Sequence, residues 1–288
     1  VDTVALLIIE VLNGIARLAL TCAGLAIIFG MMRVINFAHG EFMMLGGYTT
    51  VVATNAGVNI WISMLILSPI VVGIIGIISE RLLIRFFYGR MVDTLIATWG
   101  LSLLLIGIVT AIFGNYITGV SAPLGHFSLG QYQLSTYRLV LIGLTVLLFI
   151  GIYLVFTRTR LGLIARGTMQ NPQQASVLGI STSRVYMVTF GIGAALTGLA
   201  GGLLAPISQI IPTVGVTYVA QAFITVITGG TGAVTGTIIA SGVFGTVRQL
   251  VTYQTTPIIG GVVLLIVAVL LLRLLPQGIT GKIFKRSL

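Results

Sequence analysis

The sequence predicts an all-α polytopic membrane protein, one transmembrane domain over residues 1–288 with eight to nine membrane segments. Three observations predict it. Hydrophobic residues make up 57% of the chain and charged residues 7%, whereas a soluble globule carries about a quarter charged residues. The apolar residues gather in runs close to the roughly 20 that a helix needs to cross the hydrocarbon. The 15 Lys and Arg lie mainly between those runs and in the tail. That is an orientation signal rather than a nucleic-acid footprint, even at a net charge of +10. The single cysteine, Cys22, sits inside an apolar run; it reads as a small packed hydrophobe, with neither a disulfide framework nor zinc spacing around it.

Taken in order, residues 4–32 form the first span, long for one crossing. Glu10 and Arg17 share one face, at its outer end or against a partner. No small-residue cleavage pattern follows, so this is a spanning helix and not a signal peptide. Residues 42–58 are the second span, and 61–83 the third, with Trp61 as interfacial anchor and Glu80, Arg81 and Arg85 at the far end. The fourth, 91–113, carries Asp93 at its start. Residues 114–137 form a polar extracytoplasmic connector with Tyr116, Pro123, His126 and Tyr132 and no Lys or Arg. The fifth span, 139–156, leads into Arg158, Arg160, Arg166 and Arg184, the densest basic loop, at 158–184. The sixth, 185–204, places Gly191, Ala194, Gly198 and Gly202 at a spacing that lets another helix approach closely.

Short cytoplasmic loops carry the Lys and Arg excess. Loops 81–90 and 158–184 are therefore expected inside, connectors 114–137 and 205–216 outside, the N-terminus outside, and the tail with Arg273, Lys282, Lys285 and Arg286 inside. A tail on that side requires an even number of passes between residues 216 and 249, with 264–275 as the last crossing. Two short apolar runs, 219–228 and 238–247, flank Gly229-Gly230-Thr231-Gly232-Ala233-Val234-Thr235-Gly236. They read as two half-helices or short spans meeting at a glycine-rich break, the arrangement that marks midplane solute sites. A phosphate loop would need Gly-Lys-Ser or Gly-Lys-Thr to follow, and neither does.

The polar centre is Val34-Ile35-Asn36-Phe37-Ala38-His39-Gly40-Glu41. A carboxylate at bilayer depth costs several kcal/mol and survives facing protein, a partner or water. Gly40 loosens the backbone beside it. Two readings stand: a solute-holding break in a membrane helix, or a wet turn after Arg33 at the cytoplasmic surface. Asn36, His39 and Glu41 are the candidate gate or pathway residues, with Gly229, Gly230 and Gly232 as the break opposite. Glu41 has a structural alternative as partner of Arg33 or of another subunit. Asn36, Thr98, Ser102, Thr228 and Thr231 offer hydrogen bonds to a neutral polar solute, or to the backbone of an amino acid such as leucine.

Residues 158–184 are too polar to span. Asn171 is an N-cap with Pro172 at the first helical position, Ala175, Val177 and Leu178 give an apolar side, and Gly179 closes the turn. A short surface helix with no core of its own suggests a protein partner, or a seat on the lipid surface.

The chain resembles the permease subunits of ABC importers for branched-chain amino acids and for urea or short amides. The resemblance rests on Ile35-Asn36-Phe37-Ala38-His39-Gly40-Glu41, on Thr159-Arg160-Leu161-Gly162 with Ala175-Ser176-Val177-Leu178-Gly179-Ile180, on Gly229-Gly230-Thr231-Gly232, and on the closing Pro276-Gln277-Gly278. It implies that 171–179 is similar to the coupling helix that sits in a groove of the ATPase, with Asn171, Ala175, Ser176, Leu178 and Gly179 as coupling residues. Many members carry an acidic residue just before that helix, where this chain has Gln170 and Asn171. Within the family, Arg85-Phe86-Phe87-Tyr88-Gly89-Arg90, the stretch from Thr94 to Ser102 and Thr168-Met169-Gln170-Asn171 look more like the urea branch.

The expectation is a multi-pass subunit of the bacterial inner (plasma) membrane, half of an ATP-driven import pathway for urea or short amides, with branched-chain amino acids as the alternative. By resemblance its partners are a second related permease, two cytoplasmic ATPases that carry the ATP and Mg²⁺, and an extracytoplasmic solute-binding protein. No cofactor or metal is expected on this chain, nor catalysis: His39 and Glu41 lack an activated nucleophile nearby, and His126 lies in the outer connector. A passive channel and a proton-coupled carrier using His39 and Glu41 are the competing classes. The surface helix at 171–179 is the feature a channel does not require.

Overall fold

A computed structural model describes residues 2–115, 119–230 and 232–284. Tyr116, Thr231, Lys285 and Arg286, named above, lie outside the described residues. In order come α1 (Asp2–Met32), α2 (His39–Asn55), α3 (Ile60–Leu82) and α4 (Met91–Phe113). A hairpin follows, β1 (His126–Leu129) and β2 (Tyr132–Ser135), then α5 (Thr136–Arg158), α6 (Arg160–Gln170) and α7 (Pro172–Val177). The rest is α8 (Thr182–Leu204), α9 (Val214–Gly229), α10 (Ala233–Gln254), α11 (Pro257–Leu274) and α12 (Gly278–Phe284).

Among the described residues 7 helices are long and apolar enough to cross a membrane: α1, α3, α4, α5, α8, α10 and α11. Two more segments, α2 with 17 residues and α9 with 16, complete an all-α polytopic membrane protein. The expected second span begins earlier than residue 42, at His39, so the polar motif is its first turn. The region 216–249 contributes two consecutive helices, and α10 is a full 22 residues rather than a half-helix.

The bundle closes around α8, through residues that lack bulk. A Cβ on Gly201 would land on the carbonyl of Met43, one on Gly46 would strike the backbone of Gly198, and one on Gly76 would strike Ala194. Lipid tails are as apolar as leucine, so close backbone approach and dispersion supply the association. Ser68 ties three helices at this point: its Oγ lies 2.6 Å from the carbonyl oxygen of Gly198 and 3.1 Å from that of Gly46. Cys22 is buried against the carbonyl of Ala222, as a packed hydrophobe should be.

The connector holds a two-stranded antiparallel hairpin, with Leu129 opposite Tyr132 and Gly130 at φ +59 making the turn. Four-residue strands are too short to show alternation, so the sequence reading had no strand here. Beside it the Tyr137 hydroxyl donates to the carbonyl of Leu203 at 2.7 Å. Arg138 forms an ion pair with Glu10, and the Asn13 amide donates to the Arg138 carbonyl at 3.2 Å. Glu10 therefore has its partner within the chain, on α5. At the opposite end, the buried Glu80 accepts the Tyr88 hydroxyl at 2.7 Å. Burial, and then the bond to Glu80, hold the Tyr88 hydroxyl protonated well above the usual tyrosine range.

Candidate functional site

Between α1 and α2 the chain turns back into the bundle. Arg33 ends α1 in a left-handed conformation (φ +52), exposed, and residues 34–38 have no helical ladder. His39, the first residue of α2, donates from Nε2 to the carbonyl of Thr21, at the middle of α1, at 2.7 Å. Ser102, the central residue of α4, is the polar side chain beside the Glu41 carboxyl group. Both contacts put the start of α2 at mid-bilayer depth. The surface-turn reading is thereby replaced by a break inside the membrane domain, where irregular backbone persists only against protein or water.

The break has local solutions for most of its backbone. The Ala38 amide donates to Asn36 Oδ1 at 3.1 Å, and the Phe37 amide donates to Thr98 Oγ1 at 3.1 Å. The Thr98 hydroxyl itself faces the carbonyls of Thr94 at 2.9 Å and Ile35 at 3.2 Å, clamping the loop to α4. Gly40 meets Gly215 at the start of α9, and a Cβ on either would enter the other's backbone. Phe37 stacks on Phe223 of α9 at 5.6 Å between ring centroids.

Two polar atoms remain unanswered. Asn36 is 0% exposed and Glu41 1%, and Asn36 Nδ2 and Glu41 Oε2 have no hydrogen-bond partner. Orphaned buried polar atoms cost about 1–3 kcal/mol each and call for an explanation such as a ligand, water or ion. His39 is different. Besides Thr21, its Nδ1 lies 3.2 Å from Thr197 Oγ1 on α8, so both ring nitrogens are engaged in joining three helices. Asn36, Glu41, Thr98 and Ser102 lie around one break, with the Thr98 hydroxyl engaged by the loop backbone and His39 joining three helices.

The glycine-rich break forms a separate place. Thr228 donates to the carbonyl of Ile224 at 2.7 Å and is satisfied within α9. Gly229 packs backbone to backbone on Gly236, and Gly230 adopts φ +86 against Gln277 and Gly278. Thr280 of α12 locks it: its hydroxyl donates to the Gly229 carbonyl at 2.6 Å and accepts the Gly232 amide at 3.0 Å. The break thus faces the closing Pro276-Gln277-Gly278 stretch rather than Asn36 and Glu41. Thr280 was missed in the sequence because a threonine in a tail carries no local signal of a partner 51 residues away.

The basic loop contains two helices where one was expected. Thr159 caps α6 by accepting the Gly162 amide at 3.3 Å, and a Cβ on Gly162 would enter the backbone of Phe156, which accounts for Thr159-Arg160-Leu161-Gly162. Asn171 caps α7, accepting the Gln174 amide at 3.0 Å, and Gly179 ends it at φ +80. Ala175 points inward and is buried. The outward apolar surface is Val177 and Leu178, exposed by 86% and 79%, with Asn171, Ser176 and Gly179 exposed beside them.

Two unanswered buried polar atoms inside a bundle of membrane-length helices, and a separate capped helix with exposed Val177 and Leu178, fit the class of transport permeases. The family model described as branched-chain amino acid transport system / permease component matches residues 7–272, and the chain belongs to that family. It is 28% identical to the probable branched-chain amino acid transport permease protein LivH of Methanocaldococcus jannaschii, over 93% of this chain and 90% of the relative. The high-affinity branched-chain amino acid transport system permease protein LivH of Escherichia coli K12 is also 28% identical, over 95% of each chain. BraD of Pseudomonas aeruginosa, with the same description, is 27% identical over 95% of each.

Proposed function

We propose that the chain is the permease subunit of an ATP-driven importer of branched-chain amino acids in the plasma (inner) membrane. It forms half of the pathway with a second related permease, and α7 seats in a cytoplasmic ATPase, two of which supply the ATP and Mg²⁺ chemistry. A solute-binding protein docks at the hairpin end, which places the N-terminus outside and the α6–α7 loop inside. The observation that carries this reading is the break before α2, with Asn36 Nδ2 and Glu41 Oε2 unpaired beside Thr98 and Ser102. A carboxylate there suits the ammonium group of an amino acid, and the amide suits its polar backbone. Thr228, Gly229, Gly230 and Gly232 are then a backbone break held against the closing stretch rather than solute ligands.

The solute class leans on the three relatives above, each named for branched-chain amino acids. The urea or short-amide expectation finds no support among them and gives way to its alternative. A passive channel would leave the exposed Val177 and Leu178 of a capped helix without purpose. The test is uptake of labelled leucine and labelled urea by cells expressing this chain with its neighbouring subunits. Saturable leucine uptake is the expected result; urea uptake without leucine uptake would return the solute to the other branch.

A further inference from the structure

Two cations on membrane-spanning helices, the exposed Arg17 and the half-buried Arg248, have no acid paired with them. Arg17 stands midway along α1 and Arg248 lies inside α10. The two helices pack closely: Gly14 meets Gln249, and a Cβ on Gly245 would reach the backbone of Ile15. Arg17 is the charged neighbour of Arg248, with Tyr218 of α9 also near. Arg248 Nη1 donates to Gln221 Oε1 at 2.8 Å, and the Gln221 amide nitrogen lies toward Gly261 of α11. Of the five acids, Glu10 pairs with Arg138, Asp93 with Arg90 and Glu80 with Tyr88, Glu41 sits between α2 and α4, and Asp2 is the first residue of α1, far along the helix from Arg17.

Adjacent guanidiniums repel, and intramembrane arginines are retained facing water, a partner or a ligand. Their planar donor forks match a carboxylate, and Gln221 holds one fork in orientation. We propose that Arg17 and Arg248, the latter held by Gln221, receive the carboxylate of the transported amino acid in the half of the bundle nearer the hairpin. The proposal rests on the amino-acid reading above. It also identifies the α1–α9–α10 seam as a wall of the pathway, since lipid is no environment for this pair.

The test uses the assembled transporter with its partner subunits in proteoliposomes, comparing wild type with Arg17→Gln, Arg248→Gln, Arg248→Lys and Gln221→Leu. Expected is leucine uptake at subsaturating solute lowered about tenfold or more in both glutamine variants, the size of a lost charge-assisted hydrogen bond. Arg248→Lys should retain more of it than Arg248→Gln. Co-purification of all subunits and thermal stability should be unchanged. Wild-type uptake with undiminished uptake in both variants overturns the carboxylate site alone. Loss of the second permease from the purified complex also overturns it, because the carboxylate would then be the partner's. Absence of leucine uptake by wild type removes the amino-acid reading, and the proposal with it.

Discussion

Thr280 donates its hydroxyl hydrogen to the carbonyl oxygen of Gly229 at 2.6 Å, pinning the last turn of α9 to α12. Thr280 Oγ1 in turn accepts the Gly232 amide at 3.0 Å. One side chain thus satisfies both sides of a backbone break whose first residue, Gly229, is buried while Gly230 and Gly232 are half-buried. Thr280→Val keeps the shape and removes both bonds. It should lower stability by about 1–3 kcal/mol, read as a lower Tm of the purified complex, with Thr280→Ser close to wild type. Equal Tm for all three would show that the break is held by packing alone.

His39 ought to behave as a clamp and not as a proton carrier. His39→Ala removes contacts to both Thr21 and Thr197 and leaves a cavity between α1, α2 and α8. The cost should be about 2–4 kcal/mol, seen in thermal unfolding and in yield. Transport per folded complex should change little. A variant of normal Tm that has lost uptake would return His39 to the pathway.

Glu41→Gln separates function from stability. The carboxyl group is buried with one oxygen unpaired, so the fold gains nothing from its charge. Tm should not fall, while leucine uptake drops about tenfold as the ammonium loses its charged partner. A fall in Tm with uptake per complex preserved would make Glu41 structural.

For α7 the useful substitution is Leu178→Asp, at a side chain 79% exposed. It places a charge on the surface offered to a partner and touches nothing inside the chain. The ATPases should no longer co-purify, and the membrane domain should keep its Tm. Ala175→Arg is a poor substitute, because Ala175 is buried and the arginine would disturb α7 itself. Retention of the ATPases by Leu178→Asp would remove α7 from the interface.

The spans were legible because membrane thickness sets their length: 91–113 matches α4 residue for residue, and the small residues of α8 mark where neighbouring backbones touch. The polar motif was legible as chemistry, since Asn36 and Glu41 are costly anywhere in a bilayer. Its geometry was not, because the surface-turn and buried-break readings share one local pattern, and long-range bonds to Thr21 and Thr98 decide between them. The facing of Ala175 escaped for a similar reason: a single turn of helix has no periodicity to show which side is covered. Arg248 carried a signal that the sequence reading passed over, a charge inside an apolar run, but its neighbours Gln221 and Arg17 come from other helices.

The measurement that bears most directly on the account is accumulation of labelled leucine in proteoliposomes holding this chain, its partner permease and binding protein, with either intact or hydrolysis-dead ATPases. The account predicts uptake against a gradient with the intact ATPases and none with the dead ones. Equal, downhill-only uptake in both would contradict it, leaving a passive pathway in which α7 couples to nothing.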